Sequence, residues 1–136
     1  MNFKEFMIEH EGLRHKPYTD TEGVITIGIG FNLDIGLDDE EIDMIFQRRA
    51  MKAERDAINA IGARIWARMN RERQWVLKSM AFQLGGSGLS KFKKMIAALN
   101  VEDYHTAAEE ALNSKWARQT PNRAKHHSEV IRAGKI

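Results

Sequence analysis

Apolar residues follow two rhythms along this chain. From Ile25 to Ile29 they take every second place, the period of a half-buried strand. Over most of the remaining length they recur every three or four residues, the period of a helix with one buried face. Phe3, Phe6, Met7 and Ile8 predict a first helix, with Asn2 as its N-cap and Gly12 as its stop, so that Glu11 is its last residue. Leu13 to Thr19 and Val24 to Ile29 predict two strands joined by a turn at Asp20, Thr21, Glu22 and Gly23. Phe31, Asn32 and Leu33 add a third short strand. From Leu37 the helical period resumes, capped by Asp38 or Asp39, with Ile42, Ile45, Phe46, Arg49 and Ala53 on one face as far as about Asn59. Gly62 breaks that helix. Asn70 caps another, whose apolar side is Trp75, Leu77, Met80, Ala81 and Leu84, read as core. GGSG at 85–88 predicts a loop. Two further helices are expected over 89–99 and 102–113, and Thr120-Pro121 starts a last one that runs to about Ala133. The fold class is α+β, mainly helical: a β-hairpin lobe over about 12–36, with 1–11 and 37–136 forming a helical part, all in one domain.

Composition narrows the function. The chain of 136 residues has no Cys, which excludes disulfides and thiol chemistry. No apolar run reaches the length of a membrane span, and the start, MNFKEFMIEHEG, carries Lys and Glu where a signal peptide would be apolar. No stable membrane insertion is expected. Net charge is +2, but it is unevenly placed. Residues 1–60 carry 13 acids and 7 bases, whereas residues 61–136 carry 6 acids and 14 bases. A basic half suits an anionic partner or a solvated helical face.

Glu11, Asp20 and Thr26 fall on a helix end, a turn and a strand, which a helix running into a hairpin can gather around one cleft. Two carboxylates in different surroundings can separate into a protonated acid and an ionised partner, the requirement of glycoside hydrolysis. Thr26 offers a hydroxyl to hold a water. Gly28 and Gly30 would leave the strand face bare for a polysaccharide. By spacing alone, an exposed helix-end acid and an ordinary turn residue stand beside this reading.

The stretch HEGLRHKPYTDTEGVITIGIG resembles the catalytic segment of phage lysozymes of the T-even type, glycoside hydrolases that cut bacterial peptidoglycan. FQLGGSGLSKF at 82–92 and SKWARQTPNRAK at 114–125 resemble that family's cleft loop and C-terminal signature, in the same order. The resemblance implies a lysozyme-like two-lobed fold and a muramidase. It implies that Glu11 is the general acid, that Asp20 and Thr26 position the attacking water, and that Arg123 supports Glu11 by pairing with it. Gly30, Asn32, Leu33, Phe82 and Gln83 would bind the glycan, and Trp116 would be core beside the cleft. His10 stands where the family usually has an acid, and Phe31 where the T-even enzyme has a histidine. A monomer without cofactor is implied, made in a host cytoplasm and released to the periplasmic wall by a membrane-hole protein (a holin), or else carried on a phage particle.

Other chemistries find less support. His10, His15, His105, His126 and His127 lack zinc-ligand spacing, and His126 and His127 are expected on different sides of a helix. No metal is expected. Lys91, Lys93 and Lys94 lie outside any nucleic-acid motif and read as a solvated helix face, so no nucleic-acid partner is expected. The competing class is a wall-binding module with its chemistry lost, which would release no reducing sugar from peptidoglycan.

Overall fold

A computed structural model describes the whole chain, residues 1–136. The elements run α1 (Phe3–Glu11), β1 (Arg14–Thr19), β2 (Ile25–Gly28), β3 (Phe31–Asn32), a 3-10 turn (Leu33–Ile35), α2 (Asp39–Ile61), α3 (Ala63–Arg68), α4 (Arg71–Ser90), α5 (Lys93–Asn100), α6 (Tyr104–Leu112), α7 (Lys115–Gln119) and α8 (Pro121–Ala133). They form two compact units, Met1–Ile45 and Phe46–Ile136, with the division inside α2. A small antiparallel sheet beside many helices is the α+β, mainly helical class of the lysozyme-like fold.

In the first unit, α1 begins on a reciprocal cap. The Glu5 amide donates to Asn2 Oδ1 at 2.9 Å, and the Asn2 amide donates to Glu5 Oε2 at 2.8 Å. Gly12 ends the helix with φ of 79°, its amide bonded to the Ile8 carbonyl at 2.8 Å. The sheet order is β1-β2-β3, so β2 is central and places Thr26 between Tyr18 and Asn32. The β1–β2 register slips between Arg14 and Tyr18. Pro17 lies in that interval and cannot donate to a ladder, which an edge strand tolerates. The Asp38 carboxylate and the Glu41 amide, with Glu41 Oε1 and the Asp38 amide, cap the start of α2.

The second unit has an aliphatic core in which Leu77, Met80, Leu89, Met95, Leu99 and Ile131 are fully enclosed. Ala107, Ala108 and Ala111 of α6 and Ala124 of α8 are buried too. Their small side chains permit the close approach at which the Ser128 hydroxyl donates to the Ala108 carbonyl at 2.9 Å. No helix is long and apolar enough to cross a membrane.

Several expectations need correction. The buried stripe of α2 is Ala50, Ala53, Ala57 and Ile61, whereas Ile42, Ile45 and Phe46 are exposed. GGSG is not a loop. Gly85 alone leaves helical geometry, at φ of 75° and ψ of 170°, and kinks α4 while the residues after it stay helical to Ser90. Trp75 is not core: it is 51% exposed, with the Arg71 guanidinium 4.8 Å from its ring centroid. Helices α3 and α7 were not expected, because six and five residues are too few to display a period.

The end of α8 is tied to the start of α4. Arg73 Nε donates to the Ile131 carbonyl at 2.7 Å and Nη2 to the Arg132 carbonyl at 3.2 Å, while the guanidinium lies 3.5 Å from the Tyr104 ring centroid. Asn70 Nδ2 donates to the Gly134 carbonyl at 2.8 Å. These bonds satisfy carbonyls that a helix end leaves unpaired. Arg73→Ala is expected to lower unfolding free energy by about 2 kcal/mol, measured by urea titration. Arg73→Lys, which cannot fork, should recover only part of that.

Candidate active site

Glu11 closes α1, and its side chain lies against Gly30. A Cβ placed on Gly30 would stand 2.7 Å from Glu11 Oε2 and 3.0 Å from both its Cβ and Cδ. Gly30 has φ of 68°, a left-handed conformation natural to glycine. Gly28, at φ of 69°, is filled differently: a Cβ there would stand 2.5 Å from the Phe31 ring. The bare strand face expected from the sequence is therefore not what the two glycines provide. One seats the Glu11 carboxylate, and the other seats Phe31.

Asp20 sits in the turn with Oδ1 held by two backbone donors, the amides of Glu22 at 2.8 Å and Val24 at 2.9 Å. That fixes its carboxylate and leaves Oδ2 to accept from a further partner. Thr26 is 4% exposed, and its Oγ1 donates to the Val24 carbonyl at 3.0 Å. With its proton so committed, the hydroxyl meets any further partner as an acceptor. Asp20 and Thr26 are thus both tied to Val24. Asn32 Oδ1 accepts from the Asp34 amide at 2.8 Å and turns the chain into the 3-10 segment that Leu33 begins. The Tyr18 hydroxyl reaches 3.5 Å from the Glu11 carbonyl, a weak contact.

In the second unit Gln83 is a junction. Its Oε1 accepts from Trp116 Nε1 at 3.0 Å and from Arg123 Nη1 at 2.8 Å. Two donors on one oxygen settle the amide orientation and turn its NH2 group elsewhere. Phe82, half-exposed, packs its ring 6.0 Å from that of Phe46. Trp116 is buried, edge-on to Phe92 at 5.9 Å. Beside it lies a cleft of about 570 Å³ floored by Leu84, Phe92, Met95 and Trp116, with Lys91, Lys93, Lys94 and Lys115 around it. The lysines expected as a plain solvated face thus line a concave surface.

A family profile described as phage lysozyme matches residues 8–129. The chain belongs to the phage lysozyme family. Among its relatives is the pre-baseplate central spike protein Gp5 of Enterobacteria phage T4, 31% identical over 164 aligned residues that take in all of this chain and 28% of that protein. The probable T4-type lysozyme 2 of Dictyostelium discoideum is 30% identical over 99% of this chain and 96% of its own length. The probable T4-type lysozyme 1 of the same organism is 24% identical over the same shares. The alignments run over more positions than the 136 residues present here, so this member is shorter within the matched span.

For this phage lysozyme family member, the sequence-derived residues fall into two groups. Glu11, Asp20, Thr26, Gly30, Asn32 and Leu33 lie in the first unit, and Phe82, Gln83 and Arg123 in the second. Within the second unit the partner of Arg123 is Gln83. Sequence reading missed His127 and Ser79, whose Nε2 and Oγ are 2.8 Å apart. It also set His126 and His127 on different sides of α8, yet their Nδ1 atoms are 3.3 Å apart. A usable signal was the helical spacing: Ser79 and Gln83 are one turn apart on α4, as are Arg123 and His127 on α8.

Proposed function

We propose that this chain is a muramidase that hydrolyses the β-1,4 bond between N-acetylmuramic acid and N-acetylglucosamine in bacterial peptidoglycan, by direct attack of water with inversion. The observation that carries this reading is the seating of Glu11 against Gly30, supported by the fixed Asp20 carboxylate of the turn after β1, in a chain of the phage lysozyme family. Glu11 protonates the leaving oxygen. Asp20 supports the positive charge that develops on the sugar and, with the acceptor Thr26 Oγ1, orients the water. No cofactor takes part, and one copy of the chain suffices.

Gly30, Asn32, Leu33, Phe82 and Gln83 bind the glycan. The Gln83 NH2 group suits a sugar hydroxyl or acetamido oxygen, and Arg123 supports the site by fixing Gln83. Released as a free lysis enzyme, the protein acts on the wall after a holin opens the membrane. The likeness to a central spike protein of a phage particle favours a second setting, in which the same chemistry serves wall penetration.

Purified peptidoglycan is the test. Release of reducing ends with an α-anomer as first product, followed by NMR before mutarotation, is the expected result. Binding without release would sink the enzyme reading in favour of a wall-binding module, and a β-anomer would sink inversion.

The lysine-lined cleft supports contact with anionic parts of the wall. Reversing Lys93 and Lys94 to Glu should slow clearing of stripped cells several-fold at low salt and much less at physiological salt, where exposed charges are screened within about 8 Å. Equal losses at both salt levels would remove the electrostatic role.

A further inference from the structure

His127 occupies a place that the reaction as described does not use. It is half-buried on α8, with Nε2 2.8 Å from Ser79 Oγ and its ring 6.0 Å from that of Trp116. One turn earlier on the same helix, Arg123 meets Gln83, one turn along α4 from Ser79. The two helices are thus joined by two polar rungs, Ser79 with His127 and Gln83 with Arg123. Trp116 ties the rungs together: its ring lies next to the His127 ring at a tilt of 48°, and its Nε1 donates to the Gln83 oxygen.

We propose that His127 is a positioning residue for the Gln83–Arg123 pair, acting through Trp116, and that the neighbouring His126 makes this arrangement yield to acid. The proposal rests on the reading that Gln83 faces the glycan.

The chemistry lies in proton count. Neutral His127 carries one N–H, and the Ser79 hydroxyl complements Nε2 in either tautomer, as donor or acceptor. A second proton makes both ring nitrogens donors. Nδ1 then points at His126 Nδ1, 3.3 Å away, which can accept only while His126 is neutral. With both rings protonated, two N–H groups and two like charges face each other, and the pair must open. Burial also opposes the charge on His127, so its ring is drawn toward solvent from its place beside Trp116, and the indole that donates to the Gln83 oxygen shifts with it. The charged groups acting on His127 are His126 and Arg123, both on α8; α4 offers it the Ser79 hydroxyl and α7 the Trp116 ring. Burial first, then those two cations, hold the His127 imidazole down to about 4.

Proton NMR of the His127 ring and the Trp116 indole N–H, followed from pH 8 down to about 2.5 so that the whole His127 transition is covered, tests this. The indole resonance is expected to move with the same midpoint as His127. In His127→Gln, which keeps a partner for Ser79 without a titrating charge, it should stay still. His126 is exposed, so His126→Gln keeps the fold; it should raise the His127 midpoint by removing a neighbour that opposes its charge, and the indole should follow. An indole that stays still while His127 titrates, in either protein, would overturn the proposal. On a soluble wall glycan, KM is expected to rise several-fold below the His127 midpoint, and that rise should move upward in His126→Gln, away from any limb due to the carboxylates. A KM rise that does not move overturns the link to Gln83. If no glycan is cleaved at any pH while the indole follows His127, the positioning is supported and the muramidase reading alone fails.

Discussion

Glu11→Gln is expected to remove turnover while leaving glycan binding nearly intact. An amide keeps the shape and most of the hydrogen bonding of the acid but has no proton to give to a leaving oxygen. Loss of general acid catalysis costs about a hundredfold to ten-thousandfold; the nearest acid on α1, Glu9, is two residues back and does not share a helix face with Glu11, and His10 bonds its Nδ1 to the Phe6 carbonyl at 2.8 Å. The same change should raise thermal stability slightly. Glu11 ends α1, where the helix dipole opposes a negative charge by about 0.3–1 kcal/mol. A catalytic group retained at a cost in stability is the pattern expected of function. Reducing-end assays beside thermal unfolding test both halves, and full activity in Glu11→Gln would end the muramidase assignment.

Gly30→Ala should damage activity far more than stability, and Gly28→Ala provides the control. Both positions have nearly the same left-handed φ, so an alanine at either costs about 1–2 kcal/mol in backbone strain. They differ in what the new methyl meets. At Gly28 it meets the Phe31 ring, an exposed side chain that can swing outward. At Gly30 it meets the Glu11 side chain along its length and must displace the carboxylate. A displacement on the order of 1 Å at a reacting group costs about a hundredfold. Urea midpoints should fall by similar amounts in the two variants, while turnover should collapse only in Gly30→Ala. Equal turnover losses would mean that the glycines serve the hairpin alone.

What the sequence revealed depended on whether the physics was local. The bounds of α8 were readable because Pro at a helix start and Gly at its end act on their own backbone. The cap of α1 and the turn at Asp20 were readable for the same reason. Glu11, Asp20 and Thr26 could be placed on their elements, and the element order then made a shared neighbourhood plausible. The role of Gly30 could not be read so, because it depends on a side chain far away in sequence. The same limit explains Trp75, whose apolar character suggested core although its flank of α4 is open, and GGSG, where tertiary packing holds helix despite glycine's poor propensity. His127 escaped notice because a histidine beside a histidine has no meaning until the facing helix supplies Ser79.

The enclosed methionines bear on how the protein ages. With no cysteine, methionine is the main site of oxidation at sulfur. Met44 and Met51 are exposed on α2, whereas Met80 and Met95 have almost no accessible surface. Peroxide should therefore convert the α2 sulfurs to sulfoxide while the helical unit stays folded. Oxidation of Met80 or Met95 requires the core to open, and it places a polar oxygen where none can be accommodated. The appearance of sulfoxide at those two positions would thus act as a clock for transient opening of the helical unit, with the surface methionines as its internal standard.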